Sequence, residues 1–122
     1  MTNTLKAVRT ELARQLSLTS ATVYHFIPER PQPPCVVIES GSPYMSQGPT
    51  FCEFQINMNV LLLVNSAANE TQTEQLDQLI CDTLFNLDFD VTSVDQPGQF
   101  SVNAADYFGT RITITTFNDL NN

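Results

Sequence analysis

The residues able to do chemistry are few and scattered. One histidine, His25, stands between Tyr24 and Phe26, and three cysteines, Cys35, Cys52 and Cys81, lie far apart with no CxxC spacing. A histidine beside a cysteine can generate a thiolate nucleophile, so His25 with Cys35 or Cys52 is the one catalytic arrangement to weigh. No local motif supports it, and His25 falls in an alternating run that reads as a strand with a partly exposed ring. Zinc needs closely spaced ligands, which a lone histidine and dispersed cysteines do not supply. Calcium needs a dense acidic loop, and Asp88-Phe89-Asp90 lacks the glycine and the closing glutamate of one. The four glycines, at 41, 48, 98 and 109, cannot form a phosphate-cradling GxGxxG or P-loop. The expectation is therefore no catalytic residue, no metal and no cofactor, with the cysteines read as small buried apolar side chains.

The bulk properties narrow the classes further. At 122 residues the chain fits one domain, 1–122, able to bury about two thirds of its unfolded surface without disulfides. A formal charge of −8 removes the attraction for phosphates on which nucleic-acid binding depends, so direct gripping of DNA or RNA is not expected. The longest uninterrupted apolar run, Val60 to Val64, falls far short of the roughly 20 residues that span a bilayer. The N-terminus shows no signal-peptide core, which predicts a soluble protein made in the cytoplasm. Only 15% of residues are charged, which leaves a surface rich in Thr, Ser, Asn and Gln that suits contact with other subunits.

The elements that must carry these residues emerge from periodicity. Leu5, Val8, Leu12 and Leu16 recur at helical intervals and predict an amphipathic helix over 4–16. Val23 to Ile27 reads as a short strand stopped by Pro28, and Pro31, Pro33 and Pro34 make a stiff, extended connector. Cys35 to Glu39 reads as the next strand, succeeded by a loop to Thr50. Phe51 to Val64 carries the strongest signal, with Cys52, Phe54, Ile56, Met58, Val60, Leu62 and Val64 in an unbroken series at period two. The other face is polar at Glu53, Gln55, Asn57 and Asn59 and apolar at Leu61 and Leu63, which predicts a strand half-exposed first and buried on both sides later. Fully extended, it spans about 46 Å.

Thr71 and Glu74 stand at capping-box spacing and predict the start of a second helix. Leu76, Leu79, Ile80, Thr83, Leu84 and Leu87 form its sheet-facing stripe. Phe89 to Val94 reads as a strand, Gln96 to Gly109 as a second long loop, and Thr110 to Phe117 as the closing strand, with Ile112 and Ile114 on one side. The fold class expected is α+β, order αβββαββ, a mostly antiparallel twisted sheet carrying two helices and a long projecting hairpin. Long loops concentrate function. Tyr44, Met45, Phe51, Phe100, Tyr107 and Phe108, expected to be displayed by or beside those loops, and Phe85, on the flank of the second helix, are therefore the candidate interface residues.

In this order of elements the chain resembles the tail-terminator, or tail-completion, proteins of long-tailed bacteriophages, of the lambda minor tail protein type. The likeness spans nearly the whole chain. It rests on the first amphipathic helix, Val23-Tyr24-His25-Phe26-Ile27-Pro28, the step from Pro34 into Cys35-Val36-Val37-Ile38, the strand Phe54 to Val64, and Leu76-Asp77-Gln78-Leu79. The resemblance implies a non-enzymatic virion protein that forms a hexameric ring on the last ring of the tail tube, stops its growth and presents a surface to the head–tail connector. Six copies would carry −48 (six times −8), and acids lining a bore would let DNA pass without specific binding. A head–tail connector or neck component is the alternative within the same class. A small ligand-binding or hydrolytic domain built on His25 and the cysteines is the alternative from another.

Overall fold

A computed structural model describes residues 4–48, 53–66 and 69–119. The elements run α1 (Thr4–Leu16), β1 (Thr22–Tyr24), β2 (Cys35–Gln47), β3 (Glu53–Val64), α2 (Glu70–Asn86), β4 (Asp90–Val94), β5 (Gly98–Val102) and β6 (Ala105–Asp119). This is the expected α+β arrangement, with β5 as an extra strand inside the region read as a second loop. Among the described residues six strands form one sheet in the order β1-β2-β3-β6-β4, with β5 also paired to β6. Only β1 and β2 run parallel; every other pair among the described residues is antiparallel.

One face of the sheet carries both helices. Val8, Leu12 and Leu16 of α1 and Leu76 and Leu79 of α2 pack on Val36, Ile38, Ile56, Met58, Val60, Leu62, Val64, Ile112 and Ile114. The period-two series of β3 thus becomes the floor of the main core. Each fully buried leucine there contributes about 1.5–3 kcal/mol relative to exposure. Gln15, a buried side chain near the end of α1, ties that helix to the exit of α2: its Oε1 accepts a 2.7 Å bond from the backbone N–H of Asp88. At the start of α2 the cap is Asn69, whose side chain accepts from the Gln72 amide, so the Thr71/Glu74 capping box expected from the sequence is set two residues too late. Asn serves this role because its short carbonyl reaches an amide that the helix itself leaves unpaired.

The second face changes along β3 as its polarity predicts. At the outer end, Glu53 and Gln55 are half-exposed, while Leu61 and Leu63 are buried against Cys35, Val37 and Tyr107. This smaller core is closed by the β5–β6 hairpin, which curls over it and places Phe100, Val102 and Ala105 on its edge. The hairpin tip is tied to the proline connector: Asn103 Nδ2 donates to the carbonyls of Pro28 and Glu29, and the Tyr107 hydroxyl donates to the Pro31 carbonyl at 2.9 Å. Prolines lack an N–H and leave carbonyls to be satisfied from elsewhere, which is what these side chains do.

The segment after Glu39 is also strand, not loop. β2 continues to Gln47, and its pairing with β3 slips between Ser40 and Met45, where extra residues bulge. A Cβ on Gly41 would lie 2.6 Å from the Asn57 carbonyl oxygen, so only glycine lets the strands approach there. Asn57, buried beside the bulge, accepts from Gln55 and Thr115 and donates to the Pro43 carbonyl at 2.8 Å, so its polar atoms are satisfied inside the sheet.

Candidate functional site

Of the seven residues expected at an interface, the six that are described do not form one surface. Phe85 is 87% exposed on the last turn of α2. Tyr44 and Met45 are half-buried and pack against the main core, because the loop expected to display them is the bulged continuation of β2. Tyr107 and Phe108 are buried, contrary to their expected exposure, because β6 begins at Ala105 and turns successive side chains to opposite faces. Phe108, opposite Val64, enters the main core, and Tyr107 enters the smaller one. Phe100 is half-buried beneath the Arg111 guanidinium, which lies 5.5 Å above its ring. Phe51, with Cys52, lies outside the described residues.

The cysteine and histidine candidates also separate. Cys35 is fully buried in β2 and burial pushes its thiol up to about 12, so at neutral pH it is a thiol and a weak nucleophile. His25 is exposed at the end of β1, and its carbonyl accepts from the Arg9 guanidinium at 3.0 Å. Cys81, expected to be buried, is exposed on α2. Among the described residues no three His, Cys, Asp or Glu side chains gather as a metal-binding group. No helix among them is long and apolar enough to cross a membrane.

Two surfaces the residue patterns did not single out are present instead, at the two edges of the sheet. At the β1 edge, Phe26 and Ile27 are 72% and 51% exposed. They border a groove of about 410 Å³ with Arg9, His25, Ile38, Glu39 and Ser40. Arg9 fixes one wall of this groove, its guanidinium donating to the Tyr44 hydroxyl at 3.1 Å and reaching Ser40 Oγ at 3.5 Å. On the other wall, the Glu39 carboxylate is held by Arg111 at 2.9 Å and by the Asn59 amide. The run Val23 to Ile27 reads as one strand in sequence, but pairing with β2 stops at Tyr24, which leaves Phe26 and Ile27 projecting.

At the opposite edge lies β4, whose five residues are all exposed and whose only strand neighbour among the described residues is β6. Val91 and Val94 are 38% and 40% exposed on it, and α2 ends just before it with Leu84 and Phe85 also exposed. A sheet edge with open backbone groups and apolar side chains is a ready template for pairing with another chain. The signal available in the sequence was the mixed Asp90-Val91-Thr92-Ser93-Val94 composition, which has too little apolar periodicity for a buried strand.

A third feature is a cleft of about 270 Å³ under the β5–β6 hairpin, between Val37, Leu61 and Phe100 with Glu39, Asn103 and Arg111 around it. Its charged groups pair with each other, Arg111 with Glu39, and leave no unsatisfied charge to seize a ligand.

No protein-family model matches the chain, and no curated protein matches it. The fold and its surfaces define an α+β domain of one sheet with two apolar-bearing edges.

Proposed function

We propose that this chain is a structural, non-enzymatic subunit of a tailed bacteriophage, which forms a ring on the end of the tail tube, ends tube growth and offers the docking surface for the head–tail connector. The observation that carries this reading is the pair of exposed apolar patches at opposite edges of one sheet, Phe26 with Ile27 at β1 and Val91 with Val94 at β4. A closed ring uses heterologous contacts, in which one patch meets a different patch on the neighbour, so a subunit needs two unlike surfaces facing away from each other. The resemblance in element order to tail terminators supplies the rest: six copies, contact with the tube protein, a place in the virion after synthesis in the bacterial cytoplasm, and a bore through which DNA moves without specific binding.

The long β2–β3–β6 ribbon supports the same reading. Its three strands stay paired out to Gln47, Glu53 and Asp119, and this end of the ribbon is the part we assign to contact with a tube or a head. Electron microscopy of the purified protein, alone and mixed with phage tail tubes, tests the proposal. Rings that seat on tube ends are the expected result. Particles that neither form rings nor decorate tube ends would overturn it.

A further inference from the structure

Charge is segregated along the chain in a way that its total conceals. Residues 70–95, which contain α2 and β4, hold seven acids (Glu70, Glu74, Asp77, Asp82, Asp88, Asp90, Asp95) and no base, a formal −7. Residues 4–30, which contain α1, β1 and the first part of the connector, hold four bases (Lys6, Arg9, Arg14, Arg30) against two acids (Glu11, Glu29), a formal +2. The sheet order puts β1 at one edge and β4 at the other, so Arg9, beside the β1 edge, and Asp90, on β4, lie on opposite sides of the sheet, whereas Asp82 of α2 lines a pocket with Ser20, Ala21 and Pro34 near the start of β1 and adds nothing to the β4 edge. Each end also exposes apolar side chains: Phe26 and Ile27 beside Arg9 and His25 on one side, Phe85, Val91 and Val94 beside Asp88 and Asp90 on the other.

Resting on the ring-subunit reading above, we infer that the acidic β4 edge of one copy docks head to tail on the basic Arg9, His25, Phe26 and Ile27 edge of the next. The two edges match in three respects. Their charges are opposite, which favours this pairing and penalises β4 meeting β4. Both have apolar centres, and the groove beside Phe26 has room for an aromatic side chain such as that of Phe85. The strand directions also agree. β4 runs against β6, β6 against β3 and β3 against β2, while β1 runs with β2, so a neighbour in the same orientation brings β4 antiparallel to β1. Glu39, the acid in the groove, does not oppose the contact, because Arg111 already neutralises it.

Two variants test the inference. Asp88→Lys with Asp90→Lys reverses the β4 edge, and Phe26→Ser with Ile27→Ser strips the apolar part of the groove edge; circular dichroism with thermal melting verifies that each variant folds. Sedimentation velocity and native mass spectrometry then track assembly. Each variant alone should need a concentration about tenfold or more above wild type to associate. An equimolar mixture should form one-to-one heterodimers and stop there, since one intact edge of each kind remains. Variants that assemble at the wild-type concentration overturn the inference but leave the ring-subunit function standing if tube ends are still capped. A wild-type protein that stays monomeric at all concentrations also overturns it. Failure of the wild type to bind tube ends instead removes the function on which it rests.

Discussion

At the scale of single residues, the informative side chains are those whose surroundings depart from what their type suggests. Cys35 and Cys81 are both free thiols, yet one is sealed in the sheet and the other faces solvent. A thiol reagent at mildly alkaline pH should modify Cys81 in the native protein and reach Cys35 only on unfolding, with peptide mass mapping to separate the sites. Equal labelling rates would contradict the burial that pushes Cys35 up to about 12. Thr83 is fully buried with no partner for its hydroxyl among the described residues, so Thr83→Val should be neutral or raise stability by up to about 1 kcal/mol in urea unfolding. Glu11 shows the opposite case on the surface. Its hydrogen bonds from Arg14 and then Gln15 lower its carboxyl from the ordinary 4.5 to about 2. The folded state therefore gains from this carboxylate above pH 4.5 and loses that gain as pH falls toward about 2. A carbon-detected NMR titration of Glu11 should show the low midpoint, and Arg14→Ala should return it toward 4.5.

At the scale of elements, stability at the bulge and the hairpin depends on close approach and on buried polar groups. Gly41→Val would drive a branched side chain into the Asn57 carbonyl, and overpacking of this kind costs about 1–3 kcal/mol. Asn57→Leu would remove the partner of the Pro43 carbonyl and the Thr115 hydroxyl together, an expected loss of about 1–3 kcal/mol measured by chemical denaturation. The β5–β6 hairpin was legible only as a loop over Gln96 to Gly109 and not as strands, since Gly98 to Val102 holds only Phe100 and Val102 as apolar side chains. What makes it a strand is its pairing to β6 and the cover it gives to Leu61 and Leu63. Tyr107→Phe should loosen that cover by about 0.5–1.5 kcal/mol through loss of the bond to Pro31, visible as faster amide exchange over 98–109.

At the scale of the whole molecule, the two sheet edges decide what the domain can do. A sheet that ends at both sides in short strands with apolar side chains nearby is under pressure to associate, and a globular chain normally blunts such edges with charge or cover. Here the charge at the two edges is opposite in sign, so the same residues that deter like edges attract unlike ones. Association should therefore weaken as salt rises, because screening acts on the exposed pairs while the apolar contacts persist. Light scattering over a salt series reads this directly, and assembly indifferent to salt would limit the contact to its apolar part.

The sequence alone determined the two helices, the long strand β3 and the polarity switch along it, because these rest on local periodicity that each residue's type reports without help from distant ones. It also placed Phe85, whose exposure stems from its position on the helix flank. The burial of Tyr107 and Phe108, the exposure of Phe26, Ile27, Val91 and Val94, and the meeting of Asn103 with the proline connector were settled only by tertiary structure. Those outcomes depend on which strand lies at an edge and where a hairpin curls, and both are set by pairings between residues up to 76 positions apart. Short-range pattern carries no record of such pairings, since the same alternating residues fit a central strand or an edge until a neighbour is chosen.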